Sequence, residues 1–324
     1  MKEKIMKFVR IAEINILKFF VAVYKLLRRF AAFCVAVVWP KWKSISRTVV
    51  IAVIAFYLIG GIVFGVRLYA QKRFEKVDLI ASTIYPFPVA KSGRGLVLNR
   101  QLQLWVGSSK NFAVKNSMEV PPDLQKSIVK ELNDYLMVAQ EADRLGVHLT
   151  DKEINEKFDL SIEGIGSKDQ AIDFLKQMYG LSMNQFKRLI TPMILVEKVK
   201  EDKFTKVKVR HILIKDEGKA KEIAKKAQEG GNFEELAKEN SEDQTSKDNG
   251  GMIAEGEYLF RESGLVPEVE SAMFKQKVGK ASDPVKSEYG YHIIKVEDKK
   301  GTINVKYSDW LGGLRKKYPQ KTWI

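Results

Sequence analysis

Two of the three histidines in this 324-residue chain stand inside stretches in which apolar and polar side chains alternate. His211 lies in residues 207–214 and His292 in residues 289–296, and both stretches have the period-two pattern of a β-strand. If the two strands are neighbours, the imidazoles meet in the core of a small domain. Imidazole can donate and accept hydrogen bonds, so such a pair can form a polar cluster with fixed tautomers. Buried polar groups are also commonly paired for structural reasons alone, and the residue types do not separate the two roles.

The composition excludes several other kinds of chemistry. Cys34 is the single cysteine, so the chain can form neither an intramolecular disulfide nor a cysteine-ligated metal cluster. With three histidines, a histidine-rich metal site is not expected either. The phosphate-binding pattern G-x-x-x-x-G-K-[ST] and the glycine motif of dinucleotide sites do not occur in the sequence. We therefore expect no metal and no small-molecule cofactor.

Helices are predicted between the two strands that carry the histidines. Amphipathic patterns cover residues 217–229 and 233–239, and Pro267 opens a third helix over residues 267–274. Strands at both ends of a domain with helices between them favour an α+β fold around a small antiparallel sheet.

A mostly helical region precedes this domain. Residues 121–123, Pro-Pro-Asp, form a helix-start signal that is followed by apolar residues at three-to-four spacing. Thr150 and Glu153 have the spacing of a capping box at the start of the next helix. Further helices are predicted over residues 168–179 and from Ser182 onward.

Residues 48–66 form a run of 19 residues without a charged side chain. A helix of this length matches the roughly 30 Å hydrocarbon core of a bilayer, so the run predicts a transmembrane helix. Residues 1–47 carry 11 Lys/Arg and 2 acidic residues, and the positive-inside rule places this basic amphipathic arm in the cytoplasm. The residues after the helix are then extracytoplasmic. The alternatives are a buried helix of a soluble protein at 48–66, and a second spanning segment at 14–39.

The net charge of +15 is concentrated at the two ends of the chain. Residues 1–47 have a net charge of +9 and residues 299–324 of +6, while the 251 residues between them are neutral. No recognition motif accompanies this charge, so we do not expect a nucleic-acid partner. The C-terminal segment predicts a helix over residues 307–317 with an apolar stripe that includes Leu314. We expect it to pack on the helical region, and contact with anionic lipid is the alternative.

Several ordered blocks over about residues 204–298 resemble the parvulin-type peptidyl-prolyl cis/trans isomerase domain. They are VRHILI (209–214), F-x-x-L-A-x-x-x-S (233–241), the glycine pair at 250–251, LVPEVESAMF (265–274) and SDPVKSEYGYHIIKVED (282–298). Upstream, residues 131–158 and 181–199 are similar to the helical chaperone domain of SurA/PrsA/PpiD-type folding factors.

The resemblance assigns roles to seven residues. It implies four catalytic polar positions, namely His211, Asp243, Ser287 and His292. It also implies an apolar pocket for the substrate proline, formed by Ile253, Leu265 and Val269. Rotation about an X–Pro amide crosses a barrier of roughly 18–20 kcal/mol that arises from the double-bond character of C–N. Because no bond is broken, an apolar slot and suitable polar groups suffice, without a metal or a covalent step.

The sequence departs from the family pattern in three places. Met252 stands where the family has Asp, and Val269 stands where the pocket usually has Phe. About four extra residues precede Leu265, and Tyr258 or Phe260 would be able to refill a shallower pocket. The missing Asp at 252 and the missing Phe at 269 motivate an alternative function, a parvulin-like holding chaperone that binds clients without isomerising them.

We expect an α+β protein with an N-terminal transmembrane helix, a mostly helical SurA-like domain and a parvulin domain with a small antiparallel sheet. The predicted segments are an interfacial arm (1–47), the transmembrane helix (48–66), the chaperone domain (67–203), the isomerase domain (204–298) and a C-terminal helix and tail (299–324). The expected function is that of a peptidyl-prolyl isomerase and folding chaperone, a single-pass membrane protein in a prokaryotic envelope that acts outside the cytoplasm on unfolded or nascent exported polypeptides containing proline. Its partners would be these polypeptides and the lipid bilayer.

Overall fold

The computed structural model describes residues 47–69 and 84–324. The chain forms two compact units, Met1–Gln71 and Lys72–Ile324. The described part of the first unit is helix α1, Arg47–Tyr69, which covers the predicted helix at 48–66. The predicted arm before it lies outside the described residues.

The prediction that this helix spans a membrane is not supported by the structure. Among residues 47–69 and 84–324, no helix combines the length and the apolar character that a membrane crossing requires.

The second unit is a mixture of helices and antiparallel strands, as the sequence predicts. Its helices are α2 (Asn99–Lys115), α3 (Leu124–Arg144), α4 (Asp151–Glu163), α5 (Lys168–Phe174), α6 (Met183–Lys203), α7 (Glu217–Gln228), α8 (Phe233–Asn240), α9 (Pro267–Lys275) and α10 (Tyr307–Lys317). Its strands are β1 (Pro88–Ser92), β2 (Gly95–Leu98), β3 (Lys206–Ile214), β4 (Leu259–Phe260), β5 (Val285–Ser287), β6 (Gly290–Lys300) and β7 (Gln320–Thr322).

The helix starts predicted at Thr150 and Ser182 are confirmed by their capping geometry. At the start of α4 the Thr150 side chain accepts from the backbone N–H of Glu153, whose carboxylate accepts from the backbone N–H of Thr150. Ser182 and Gln185 form the same reciprocal box at the start of α6. Two orphan N–H groups are thereby satisfied at each helix start.

A four-stranded antiparallel sheet in the order β4-β3-β6-β5 organises residues 204–300. One of its faces packs against α7 and α8 through a buried cluster that includes Ile212 and Ile214 of β3. The other face packs against α9 through a cluster that includes Val207 and Val209 of the same strand. The alternation of β3 side chains therefore puts apolar residues on both faces of the sheet.

The C-terminal segment packs on the helical region, and that prediction is confirmed. Leu314 of α10 is buried in a cluster with Met137 and Val138 of α3. The Arg315 guanidinium donates to both carboxylate oxygens of Asp134, at 2.9 and 2.6 Å. Strand β7 then pairs antiparallel with β1, which belongs to a separate three-stranded sheet in the order β2-β1-β7. The end of the chain thus completes the helical region rather than the domain that directly precedes it in sequence.

Candidate functional site

The two strand histidines meet on one face of the β3–β6 pair. In this register His211 faces Ile294 and His292 faces Leu213, so the two imidazoles are diagonal neighbours. Their Nδ1 atoms are 3.3 Å apart, and the rings stack with centroids 5.5 Å apart and an interplanar angle of 19°. Both residues are buried, with 9% and 4% of their surface exposed. The predicted meeting of the histidines in the core is therefore confirmed.

A carboxylate is hydrogen-bonded to Nε2 of His211, the ring nitrogen that does not face His292. His211 Nε2 lies 2.7 Å from Asp243 Oδ2, and the Ser246 hydroxyl donates to that same oxygen at 2.6 Å. The other oxygen, Asp243 Oδ1, accepts from the backbone N–H and the hydroxyl of Thr245, at 3.1 and 2.8 Å. Four donors thus converge on one carboxylate and fix its orientation.

A hydroxyl is hydrogen-bonded to Nε2 of His292, the ring nitrogen that does not face His211. Ser287 Oγ lies 2.7 Å from His292 Nε2 and accepts from the backbone N–H of Tyr289 at 3.1 Å. Ser287 ends β5, which pairs with β6 at the turn before His292. The strand pairing therefore positions this hydroxyl.

These four side chains form one continuous series of hydrogen bonds, Asp243–His211–His292–Ser287, which we call the polar chain. An ionised Asp243 can only accept, so His211 Nε2 carries a proton and, in the neutral ring, Nδ1 accepts. His292 then donates from Nδ1 and accepts from the Ser287 hydroxyl at Nε2. One arrangement of protons satisfies every member of the polar chain with both rings neutral.

The electrostatics of the site agree with this protonation pattern. Burial lowers the pKa of His292 to about 4, and the neighbouring His211 acts in the same direction while Asp243 opposes it. Burial would by itself raise the pKa of Asp243, but the hydrogen bonds from Ser246, His211 and Thr245 outweigh it. The pKa of that carboxyl is therefore well below its ordinary value. A carboxylate and a neutral His292 coexist at neutral pH.

Two close contacts hold the loop that carries Asp243 against β3. We call residues 241–251 the site loop. The backbone N–H of His211 donates to the Gly251 carbonyl at 2.8 Å, and the N–H of Glu242 donates to the Leu213 carbonyl at 2.7 Å. Gly251 has φ +78°, and a Cβ there would lie 2.3 Å from the His211 carbonyl oxygen. The second glycine of the pair is thus required both by its backbone conformation and by close approach.

The three predicted pocket residues lie together beside the polar chain. Ile253, Leu265 and Val269 belong to the apolar cluster under α9, with Val269 buried and the other two partly buried. Two members of this cluster are cross-strand partners of the histidines, since Ile294 faces His211 and Val285 faces His292. The apolar cluster and the polar chain therefore border one another on the same face of the sheet.

The residues at the departures from the family pattern have specific positions. Met252 forms an isolated antiparallel β-bridge with Arg210 of β3. Ala254 and Glu255, which follow Ile253, both have left-handed backbone, with φ of +50° and +51°. Such residues carry strain of roughly 1–3 kcal/mol each, and this strain often accumulates at functional sites.

Neither aromatic candidate refills the pocket. The Tyr258 hydroxyl donates to Asp298, and three lysine ammonium groups lie near the face of its ring. Phe260 packs against the helical region's core. Leu259, between them, packs against the apolar cluster.

Sequence reasoning missed the part that Ser246 and Thr245 play in the site. Ser246 is 3% exposed and its Oγ lies 3.1 Å from His211 Nε2 as well as bonding to Asp243. The available signal is the spacing Asp-x-Thr-Ser, because Asp side chains commonly accept from the backbone two residues on. That signal predicts a turn and does not indicate that the turn faces a histidine.

Comparisons with known proteins identify relatives over both regions of the second unit. A family described as "PPIC-type PPIASE domain" matches residues 193–300. A "Parvulin-like PPIase" of Rickettsia felis is 31% identical over 242 residues, which cover 74% of this chain and 80% of that protein. "Foldase protein PrsA 2" of Bacillus cereus is 38% identical over 178 residues, which cover 51% of this chain and 60% of that protein. The chain thus spans about 60% of the length of the PrsA relative.

Solved structures from three-dimensional comparison include proteins of the same kinds. The peptidylprolyl isomerase PrsA of Bacillus anthracis is 32% identical, with a TM-score of 0.29, and the match covers 59% of this chain and 86% of that one. The parvulin domain of PpiD from E. coli is 30% identical, with a TM-score of 0.26, and the match covers 30% of this chain and 90% of that one.

Proposed function

The chain belongs to the parvulin-like peptidyl-prolyl isomerase family, and on this premise we propose that it catalyses cis/trans isomerisation of X–Pro bonds in unfolded polypeptides. The observation that carries the proposal is the polar chain, Asp243–His211–His292–Ser287, lying beside an apolar cluster that contains all three predicted pocket residues.

The apolar cluster would hold the proline ring of the substrate. Ile253 and Leu265 are partly buried and offer aliphatic surface, and contact with it removes water from the amide that rotates. Val269 is 3% exposed and packs in the same cluster. The twisted amide has lost its conjugation and much of its dipole, so it is less dependent on hydration than the planar ground state. An apolar wall therefore favours the transition state over the bound substrate.

The polar chain would supply a fixed polar wall opposite the rotating bond. Because each member is satisfied by its neighbour, the histidines keep one tautomer and one orientation through the reaction. Asp243 would contribute a negative charge to the environment of the amide. No covalent step is part of the proposal.

A rate assay on a short peptide containing Ala–Pro tests the enzymatic proposal. We expect the chain to accelerate cis/trans exchange above the uncatalysed rate, and His292→Ala to reduce kcat/KM by at least tenfold. His148→Ala is the matched control, since this histidine side chain is 67% exposed and lies outside the site. Absence of acceleration by the unmodified chain would refute the proposal.

The alternative of a holding chaperone without isomerase activity is not favoured by the comparisons, which match isomerase families. The alternative predicts that suppression of client aggregation is retained and that peptide isomerisation is absent. Measuring both on the same preparation separates the two functions.

We propose in addition that the chain acts as a foldase, with its helical region holding the unfolded client whose prolines are isomerised. The similarity to PrsA foldase relatives supports this. The test is the refolding of a client protein whose slow step is proline isomerisation, in the presence of an excess of a second unfolded protein that competes for the helical region. We expect the competitor to abolish the acceleration of client refolding and to leave the acceleration of isomerisation in a short peptide unchanged.

We further propose that residues 1–69 attach the chain to a cell membrane, with residues 84–324 outside the cytoplasm. The proposal is supported by the uncharged run at 48–66 and by the +9 charge of residues 1–47. Apolar side chains such as Phe56 and Ile59 of α1 are 79% and 62% exposed. Fractionation of cells and protease treatment of intact protoplasts test it, and full protection of residues 84–324 would contradict the orientation.

A further inference from the structure

Arg210 directly precedes His211 in β3, so its side chain lies on the face of the sheet opposite to the imidazole of His211. There it contacts α8 and the end of the site loop. Its Nη1 donates to the backbone carbonyls of Asn249 and Gly250, at 3.0 and 2.9 Å. Its Nη2 lies 2.6 Å from Glu234 of α8, and its Nε lies 3.3 Å from Glu297 of β6. The side chain is 14% exposed. One guanidinium thus links the end of the site loop to a helix and to the neighbouring strand.

The site loop is anchored at both of its ends, and at its start the N–H groups of Leu213 and Lys215 donate to Ser241 Oγ at 3.2 Å and to Glu242 Oε1 at 2.9 Å. Its start is held by the bond from Glu242 N–H to the Leu213 carbonyl, and its end by the bond from His211 N–H to the Gly251 carbonyl. Asp243 and Ser246 lie between these two points and make the hydrogen bonds to His211 Nε2. The bonds from Arg210 go to Asn249 and Gly250, the two residues directly before Gly251, whose carbonyl accepts from the His211 N–H.

We infer that Arg210 is a positioning residue for the proposed isomerase: it fixes the site loop so that Asp243 and Ser246 remain at hydrogen-bond distance from His211. The inference rests on the proposed function. Within the described residues, the Arg210 side chain contacts the site loop, α8 and β6 but no member of the polar chain, so the role inferred for it is positioning.

The chemistry of the contacts requires arginine rather than any cation. A planar guanidinium presents several N–H groups in a fixed fork, which here serve two carbonyls and two carboxylates at once. A lysine ammonium has three donors on a flexible stem and is unable to reach the same four acceptors in this geometry. Removal of the side chain leaves the carbonyls of the loop and two carboxylates without their shared donor.

Kinetics and spectroscopy of Arg210 variants of the full chain test the inference. We expect Arg210→Ala to remain folded and to lower kcat about tenfold or more, with a smaller change in KM, because small misplacement of site groups costs rate. Arg210→Lys should recover part of the loss. In proton-detected NMR, the signal of the His211 Nε2 proton should shift or broaden in Arg210→Ala, since its bond to Asp243 lengthens.

Arg315→Ala is the matched control. It also removes an arginine with a bidentate carboxylate contact, to Asp134, but far from the site loop in sequence and in the helical region. It should leave kcat and the His211 signal unchanged even if it lowers stability. An equal loss of kcat in both variants would indicate a general effect of destabilisation and would overturn the inference.

Two further outcomes are decisive. If Arg210→Ala is folded with unchanged kcat and an unchanged His211 signal, Arg210 has no positioning role. If Arg210→Ala fails to fold, Arg210→Lys and Glu234→Gln carry the same test, because Glu234 is 53% exposed and its substitution weakens only one contact. The NMR measurement needs no activity, so it decides the role of Arg210 even if the unmodified chain proves to have no isomerase activity.

Discussion

His292 Nδ1 lies 3.3 Å from His211 Nδ1, and the two rings are kept in unequal environments. His211 is next to an ionised carboxylate, whereas His292 is next to a neutral hydroxyl. Burial lowers the pKa of His292, so this ring does not take up a proton at neutral pH. The polar chain therefore has different ends, with the negative charge of Asp243 at one end and the neutral Ser287 hydroxyl at the other.

We predict a loss of stability in mild acid that is due to His292. Its folded pKa is about 4 because of burial, below the ordinary value of 6.5. Between these pH values the unfolded chain binds a proton that the folded chain does not, so the free energy of unfolding falls as the pH is lowered through this window. The full effect is about 3 kcal/mol. Urea unfolding at pH 7, 5.5 and 4 measures it.

His292→Asn should flatten this part of the pH profile, whereas His148→Asn should not. Asp243 contributes in a different range. Since its folded pKa is lowered, its stabilisation is present above pH 3.8 and is lost only in stronger acid. A profile that stays flat between pH 6.5 and 4 in the unmodified chain would contradict the assignment to His292.

We predict that Gly251→Ala disrupts the site loop. The added Cβ would lie 2.3 Å from the His211 carbonyl oxygen, and the position has φ +78°. Backbone on both sides has to move, so we expect the free energy of unfolding to fall by more than about 2 kcal/mol, together with most of the isomerase activity. Thermal unfolding and the peptide assay measure the two effects.

Gly264→Ala separates crowding from backbone strain. Gly264 has φ +82°, close to that of Gly251, but a Cβ there meets no atom within 4 Å. We expect a cost of about 1–2 kcal/mol from the left-handed conformation alone. Equal effects at both glycines would show that close approach to His211 is unimportant.

The histidine strands and most of the helices can be predicted from sequence because their signals are local. Alternation identifies β3 and β6, and the capping residues Thr150 and Ser182 mark helix starts. Helix α2 was missed because Gly107 and adjacent serines weaken its pattern. The pairing of β7 with β1 joins opposite ends of the second unit, and nothing in either short segment indicates its partner.

The residues of the site likewise divide into those that local sequence signals indicate and those that they do not. Local pattern places His211 and His292 on strands, and their meeting follows once the strands pair. The positions of Asp243 and Ser287 came from family resemblance, since an aspartate in a loop and a serine at the end of a strand have many local uses. Ser246 was missed because only closure of the site loop brings it to His211. The roles of these residues in catalysis stay predictions until the variants are measured.

We predict that Val269→Phe, which restores the residue usual in the family, destabilises this chain. Val269 is 3% exposed and packs with Met273, Phe274 and Ile294, so the position is filled rather than vacant. Overpacking of a filled core costs about 1–3 kcal/mol, and we expect no improvement in KM for a proline peptide. Chemical denaturation and steady-state kinetics measure the two quantities.

The smaller change Val269→Ile is the control and should cost less than Phe. If Val269→Phe instead raises stability and lowers KM, the valine leaves unfilled space at the pocket, and the shallower-pocket interpretation of the sequence is correct.

We predict that Leu314→Ala destabilises the helical region although it lies beyond the isomerase domain in sequence. Leu314 is 4% exposed and packs with Met137 and Val138 of α3. Loss of a buried leucine costs about 2–5 kcal/mol, and hydrogen exchange in α3 should rise along with it. Leu96→Ala is the control, because this leucine is 46% exposed and its truncation should change the free energy of unfolding by less than about 0.5 kcal/mol. Unchanged unfolding in Leu314→Ala would mean that α10 does not stay docked on α3 in solution, and the C-terminal segment would then be free for its alternative contact with anionic lipid.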